Sequence, residues 1–118
     1  MKASGKRDDI LAVLQNAKAE YEKTLALVMV KYEGHKRSYL AKKVKRDLFR
    51  RGPDYWKSRW NHSHDASFAA NNSGKAWTDQ RLDWIEELTN KVNRLTPLDD
   101  FQFNDNELEL LSYHQRGD

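Results

Sequence analysis

Apolar residues recur every three or four positions along much of this sequence, and that spacing is the period of an α-helix. In the first part of the chain they are Ile10, Leu11, Leu14, Ala17, Tyr21, Leu25, Val28 and Tyr32. The stretch from Thr24 to Tyr32 is also rich in β-branched residues, which leaves a strand as the alternative. No neighbouring segment offers a partner strand, so we expect a long N-terminal helix over residues 8–32. Gly34 is expected to end it as a C-terminal cap.

A second, amphipathic helix is predicted over residues 36–51. Four apolar residues share an arc of about 100° that we expect to face the core: Leu40, Ala41, Val44 and Leu48. The opposite side carries Tyr39 with most of the basic residues, namely Lys36, Lys42, Lys43, Arg46 and Arg50. The pair Gly52-Pro53 should end this helix, and Pro53 also suits the first turn of a short helix over residues 54–60.

A helix start signal occurs at Trp77-Thr78. Thr78 is a suitable N-cap, and Trp77 just before it is placed to pack on Leu82. The stripe expected to be buried on this helix is Leu82, Ile85, Leu88, Val92 and Leu95, with Trp84 at one edge. Pro97 ends the helix.

The same signal recurs near the C-terminus. Asn104 is the expected N-cap, Glu107 closes a capping box, and Phe103 is placed to pack on Leu108. The last helix should run to about Tyr113. Together these patterns predict an all-α fold, a small helical domain of four to five helices with a long N-terminal helix.

The 118 residues are expected to form a single domain. It contains a basic segment at residues 36–60, a polar loop at residues 61–76 and acidic C-terminal helices within residues 78–115. The loop prediction follows from small polar residues without periodicity. With so polar a composition, the long first helix is a candidate for self-association, so a homodimer is a possible assembly.

Positive charge is concentrated in the middle of the chain. Residues 36–60 hold ten Lys or Arg side chains against two acids, Asp47 and Asp54, whereas residues 61–118 hold five against eleven. Aromatic residues are interleaved with the cations. Cations mixed with flat rings suit a polyanion that also offers flat faces, as nucleic acid does. Two alternatives remain open: a solvated basic face, and an acidic C-terminal part folded back on the basic segment.

The sequence therefore predicts a non-enzymatic, nucleic-acid-associated accessory or regulatory protein. The residues assigned to nucleic-acid contact are Lys36, Lys42, Lys43, Arg46, Arg50, Lys57 and Arg59. Tyr55, Trp56 and Trp60 are assigned to partner binding by stacking or by filling a pocket, although these rings can instead fill the core. The alternative function is a protein-protein interaction module, an adaptor or inhibitor of a larger enzyme, that uses the same surface against an acidic protein.

Few residues in the sequence indicate catalysis or metal binding. The sequence has no cysteine, which excludes disulfides and thiolate metal sites, and we expect no cofactor and no catalytic residue. His62, His64 and Asp65 carry metal-ligand groups that His35 or His114 could complete, which leaves a metal-dependent nuclease as a less favoured alternative. No signal peptide or bilayer-spanning run is visible, so the expected location is the cytoplasm, without a membrane partner.

Overall fold

The computed structural model describes residues 4–112, which form five helices and a two-stranded antiparallel sheet. In chain order the elements are β1 (Ser4–Lys6), α1 (Arg7–Lys45), α2 (Pro53–Trp60), α3 (His64–Ser73), α4 (Lys75–Asn93), β2 (Asp100–Gln102) and α5 (Asp105–Ser112). The predicted all-α class with a long N-terminal helix is confirmed. Tyr113, the expected end of the last helix, and His114 lie outside the described residues.

The chain divides into two compact units. The terminal unit combines residues 1–24 with residues 78–118, and the middle unit is residues 25–77. Helices α1 and α4 contribute residues to both. Although α1 is 39 residues long, neither it nor another helix within residues 4–112 is long and apolar enough to cross a membrane. The prediction of a single domain stays a prediction.

The core of the terminal unit is mainly aliphatic. Its buried residues come from α1, α4, α5 and the residue after β2, and they are Ile10, Leu14, Leu88, Val92, Phe103 and Leu111. The predicted stripe of α4 is therefore largely right, because Ile85, Leu88 and Val92 are buried while Trp84 is 41% exposed. The fully buried Tyr21 donates its hydroxyl proton to the Leu110 carbonyl at 2.6 Å.

The small sheet joins the beginning of the described chain to its last third. Ser4 lies opposite Gln102, and Lys6 lies opposite Asp100. The Lys6 ammonium is 2.9 Å from the Asp100 carboxylate and donates to the Leu98 carbonyl at 3.0 Å. These contacts attach β1 to the segment that precedes α5.

The capping box predicted for the last helix is confirmed. The Asn104 side chain accepts from the Glu107 backbone N–H at 2.8 Å, and the Glu107 carboxylate accepts from the Asn104 backbone N–H at 2.9 Å. Phe103 is buried, and Leu108 packs against the same cluster. Local sequence chemistry is enough to set the start of α5.

We expect Asn104→Ala to lower the free energy of unfolding by about 1 kcal/mol, since an N-cap side chain is worth roughly that much. The measurement is chemical denaturation followed by far-UV circular dichroism. Asn106→Ala is the matched control, because Asn106 is exposed within α5 and alanine is the better helix former there. Equal destabilisation by the two variants would contradict a capping role for Asn104.

The core of the middle unit is aromatic. Trp60 at the end of α2 is 1% exposed and contacts Tyr39 and Tyr32 of α1, with ring centroids 5.0 and 5.8 Å apart. Its indole N–H donates to the Tyr32 hydroxyl at 3.0 Å. Ala66 and Ala69 of α3 are buried in the same cluster. This cluster packs α2 and α3 against the C-terminal half of α1.

The prediction that Gly34 ends the first helix is wrong, because α1 continues without a break to Lys45. The predicted core face of residues 36–51 is also wrong except at Leu40, which packs against the aromatic cluster. Leu48 is 90% exposed and Val44 36% exposed, whereas Tyr39, expected on the exposed side, is buried. The cause is tertiary: Tyr39 packs on Trp60, and Leu48 lies beyond the end of α1.

The prediction of a polar loop over residues 61–76 is wrong as well. Ser63 caps α3 by accepting from the Ala66 backbone N–H at 3.0 Å. Gly74 ends α3 with a φ of 89°, a left-handed conformation that favours glycine, and α4 begins at the next residue. Thr78 therefore lies inside α4, where it is fully buried, and is not its N-cap.

Candidate functional site

The turn after α1 is organised by a single carboxylate. The Asp47 side chain is 2% exposed and accepts hydrogen bonds from the backbone N–H groups of Phe49, Arg51 and Gly52 at 3.1, 2.6 and 3.2 Å. It also accepts from the Trp56 indole N–H at 3.1 Å. The chain therefore bends around Asp47 and enters α2 at Pro53.

These contacts determine the ionisation of Asp47. Burial alone raises the pKa of the carboxyl group, but the hydrogen bond from Trp56 and those from the Gly52, Arg51 and Phe49 backbone act in the opposite direction and prevail. The net result lowers the pKa of Asp47 from 3.8 to about 2. At neutral pH the turn is therefore built around an ionised carboxylate.

An open groove of about 490 Å³ lies beside this turn, within the middle unit. Cations, aromatic rings and small polar side chains form its wall: Tyr39, Lys43, Arg51, Tyr55, Trp56, Ser58, Arg59, His62 and Ser63. No carboxylate is part of this lining. The groove is therefore suited to a ligand that carries an anionic group next to a planar ring.

Two guanidinium groups converge on one phenol in the groove. The Arg51 and Arg59 Nη1 atoms each donate to the Tyr55 hydroxyl oxygen at 2.9 Å. Their guanidinium carbons also lie 4.3 and 5.2 Å from the centroid of the Tyr55 ring. Arg51 is also paired with Asp47, whose Oδ1 lies 3.4 Å from the Arg51 Nε, so part of the Arg51 charge is balanced within the protein. An anion in the groove could accept further hydrogen bonds from both guanidinium groups.

Lys43 adds a third cation to the groove. Its ammonium lies 5.6 Å from the centroid of the Trp56 ring and 5.7 Å from that of Tyr39. The Tyr55 and Trp56 rings meet nearly at right angles, 87°, with centroids 4.9 Å apart. Positive charge and ring faces are thus combined in the same small volume.

The structure distributes the cations predicted from the sequence over a wider surface than the groove. Lys43 and Arg59 line it, whereas Lys36, Lys42, Arg46, Arg50 and Lys57 do not. Lys36 is half-buried, and the other six are exposed. Within residues 25–77, which are all described, no carboxylate forms an ion pair with any of the seven. Their charge is therefore available to a ligand of the middle unit.

The three aromatic residues assigned to partner binding are separated by their burial. Tyr55 and Trp56 are half-buried and line the groove. Trp60 is buried, so its ring fills the core of the middle unit, which is the role left open for it above. A ligand in the groove therefore meets Tyr55 and Trp56.

The residues proposed for a nuclease are all at the surface. All three are exposed: His62 lies in the turn between α2 and α3, and His64 and Asp65 lie in the first turn of α3. Among residues 4–112, no three His, Asp or Glu side chains are grouped so that they could hold a metal ion.

Two residues of the site were missed in the sequence analysis. Arg51 lies over the Phe49, Tyr55 and Trp56 rings, and Asp47 holds the turn that places it there. The available signal was spacing, since Asp47, Arg51 and Tyr55 follow each other at intervals of four. That signal predicts contacts only if the residues are helical, and here they bridge a turn.

Comparison with protein-family models, with curated proteins and with solved structures finds no match for this chain. A functional conclusion therefore depends on the geometry of the middle unit.

Proposed function

We propose that this protein is a non-enzymatic nucleic-acid-binding protein with an accessory or regulatory role. Its contact surface is the cation-rich part of the middle unit, from the C-terminal end of α1 through α2. The observation that carries the proposal is the set of exposed cations without carboxylate partners in that unit: Lys42, Lys43, Arg46, Arg50, Lys57 and Arg59. Each such cation can neutralise a phosphate and release its counterions.

The groove supports nucleic acid over other polyanions. The Arg51 and Arg59 guanidinium groups can bind a phosphate, because a guanidinium group can donate two parallel N–H hydrogen bonds to two oxygens of one phosphate. The half-buried Trp56 and Tyr55 rings beside them offer apolar edges to a nucleobase, while Arg51 lies over both rings and Arg59 over Tyr55. A simple polyanion without flat groups would leave these rings unused.

The test is a salt-titrated binding panel with single-stranded DNA, double-stranded DNA and structured RNA. We expect the variant in which Lys43, Arg46 and Arg50 are all changed to Ala to lose detectable binding at moderate salt. On duplex DNA, the slope of log affinity against log salt should fall by about 2–3, since each lost phosphate contact removes about 0.9. Far-UV circular dichroism checks that helicity is retained.

The matched control changes Lys18, Lys23 and Lys91 to Ala. These lysines are 63, 74 and 61% exposed, lie in the terminal unit and are paired with Glu22, Glu20 and Glu107. The control removes the same charge, so it should affect binding much less. Equal binding by the two triple variants would eliminate the proposed surface. Failure of the unaltered protein with every nucleic acid at low salt would favour an acidic protein partner.

A further inference from the structure

The turn after α1 presents two large apolar side chains to solvent. Leu48 is 90% exposed and Phe49 is 79% exposed. They are adjacent in sequence and lie between the end of α1 and the start of α2. Moving two neighbouring apolar side chains from water into contact with a partner is favourable, so this tip is a candidate contact point.

This tip is held in place by the protein. The Asp47 carboxylate, 2% exposed, accepts from the Phe49, Arg51 and Gly52 backbone N–H groups, which fixes the backbone on both sides of the turn. Arg50 has a φ of 53°, a left-handed conformation that bends the chain sharply after Phe49. Leu48 and Phe49 are therefore displayed by a preorganised turn.

Cations flank the tip in sequence, and one of them contacts it. Arg46 and Arg50 lie on either side of the apolar pair in sequence and are exposed, without a carboxylate partner among residues 25–77. The Arg51 guanidinium is 5.2 Å from the centroid of the Phe49 ring and also lines the groove. The apolar tip thus adjoins the cationic surface. This combination indicates a ligand that is a polyanion with an apolar interior.

We infer that Leu48 and Phe49 form a wedge that enters between adjacent base pairs of double-stranded nucleic acid while Arg46 and Arg50 contact the flanking phosphates. This inference rests on the proposed function and specifies its substrate class. Proteins that bend duplexes insert Leu or Phe side chains between base steps in this way, and the unstacking they cause is offset by added backbone contacts. Steps that are already weak, such as mismatches and bulges, should be favoured targets because they resist unstacking least.

An anionic membrane shares the charge chemistry of a duplex but fits the tip less well. Stable attachment to a membrane interface scales with the apolar area that is buried and is typical of whole amphipathic helices. Here the apolar tip consists of two side chains. A wedge between base pairs needs no more than that, so the duplex is the occupant that the geometry favours.

The experiment uses a duplex with 2-aminopurine beside a single mismatch, a fully paired duplex of the same length, and the variant in which Leu48 and Phe49 are both changed to Ala. We expect the unaltered protein to raise the 2-aminopurine fluorescence. It should bind the mismatched duplex about tenfold more tightly, because part of the unstacking has already occurred there. The variant should lose the fluorescence rise and the preference while its salt slope is unchanged.

The control changes Leu27 and Val30 to Ala, two side chains of α1 in the middle unit that are 74 and 71% exposed. It should behave like the unaltered protein. Duplex binding without a fluorescence rise, or a rise that persists in the Leu48/Phe49 variant, would overturn the wedge and leave the proposed function standing. Absence of binding to any nucleic acid would overturn both. Binding to vesicles of phosphatidylserine and phosphatidylcholine that depends on Leu48 and Phe49, with no response from the duplex, would replace the wedge with a membrane contact.

Discussion

Trp60→Ala is expected to lower the free energy of unfolding by about 3–5 kcal/mol, the usual cost of deleting a buried aromatic side chain. The Trp60 ring is 1% exposed and contacts the Tyr39 and Tyr32 rings, so its removal leaves a cavity between α1, α2 and α3. It also removes the donor to the Tyr32 hydroxyl. Because domains are stable by only about 5–15 kcal/mol, this loss should leave the middle unit close to unfolding.

Chemical denaturation followed by far-UV circular dichroism measures this change. Trp84→Ala is the matched control, since Trp84 is 41% exposed and its deletion should cost about 1 kcal/mol or less. Trp60→Phe should fall between the two, because it keeps a ring in the cavity but not the indole donor. If Trp60→Ala and Trp84→Ala had the same effect, the aromatic cluster would not be what holds α2 and α3 on α1.

Asp47→Asn is expected to destabilise the turn after α1 at neutral pH and to reduce nucleic-acid binding. Both carboxylate oxygens accept N–H donors: Oδ1 from the Phe49 backbone and the Arg51 side chain, and Oδ2 from the Arg51 and Gly52 backbone and the Trp56 indole. An amide has only one acceptor oxygen, so its NH2 group must face a donor in either orientation. The turn would then lose the arrangement that places Arg51 in the groove.

The pH dependence of this effect has a definite sign. The pKa of Asp47 is about 2 in the folded protein, below its ordinary value of 3.8. The carboxylate therefore stabilises the fold fully above about pH 5, and this stabilisation is lost as the pH falls toward 2. The stability difference between the unaltered protein and Asp47→Asn should accordingly be largest near neutral pH and shrink between about pH 5 and pH 2.

Denaturation curves at a series of pH values test this prediction. Asp54→Asn is the control, because it removes the same charge from an exposed residue in the first turn of α2. The difference in unfolding free energy between the unaltered protein and Asp54→Asn should not shrink as the pH falls. A gap between the unaltered protein and Asp47→Asn that stays constant down to pH 2 would show that the ionised carboxylate does not hold the turn.

The parts of the fold that could be predicted from the sequence are those fixed by neighbouring residues. The capping box of Asn104 and Glu107 needs only its own turn of helix, and α2 begins at a proline that suits that position. The stripe Ile85, Leu88 and Val92 on α4 follows from its period. In each case the residues that produce the sequence pattern are within a few positions of the structure that they predict.

The predictions from the sequence were wrong where contacts between residues far apart in the sequence determine the structure. Glycine within a helix costs only about 1 kcal/mol, so Gly34 does not end α1 when residues on either side of it pack on Trp60. The period of residues 36–51 likewise assigned Tyr39 to the surface, although Trp60 covers it. Helix α3 was missed because its buried residues are Ala66, Ala69 and Ser73, which are too small to produce a hydrophobic pattern.

The candidate site was predictable in composition and not in geometry. The excess of cations over residues 36–60 and the interleaved Tyr55 and Trp56 can be counted directly. The convergence of Arg51 and Arg59 on one phenol depends on the bend around Asp47, which no helical period describes. The same bend exposes Leu48, which a helix over residues 36–51 would have buried.

The pairing of β1 with β2 has a consequence for synthesis of the chain on the ribosome. The middle unit is continuous in sequence, so all of its residues have been synthesised before translation reaches α5. Ser4, by contrast, meets its partner only once Gln102 has been made. Such distant pairings form slowly. The nascent protein therefore completes its cationic part first, and it carries Ile10 and Leu14 uncovered until the C-terminal helices arrive.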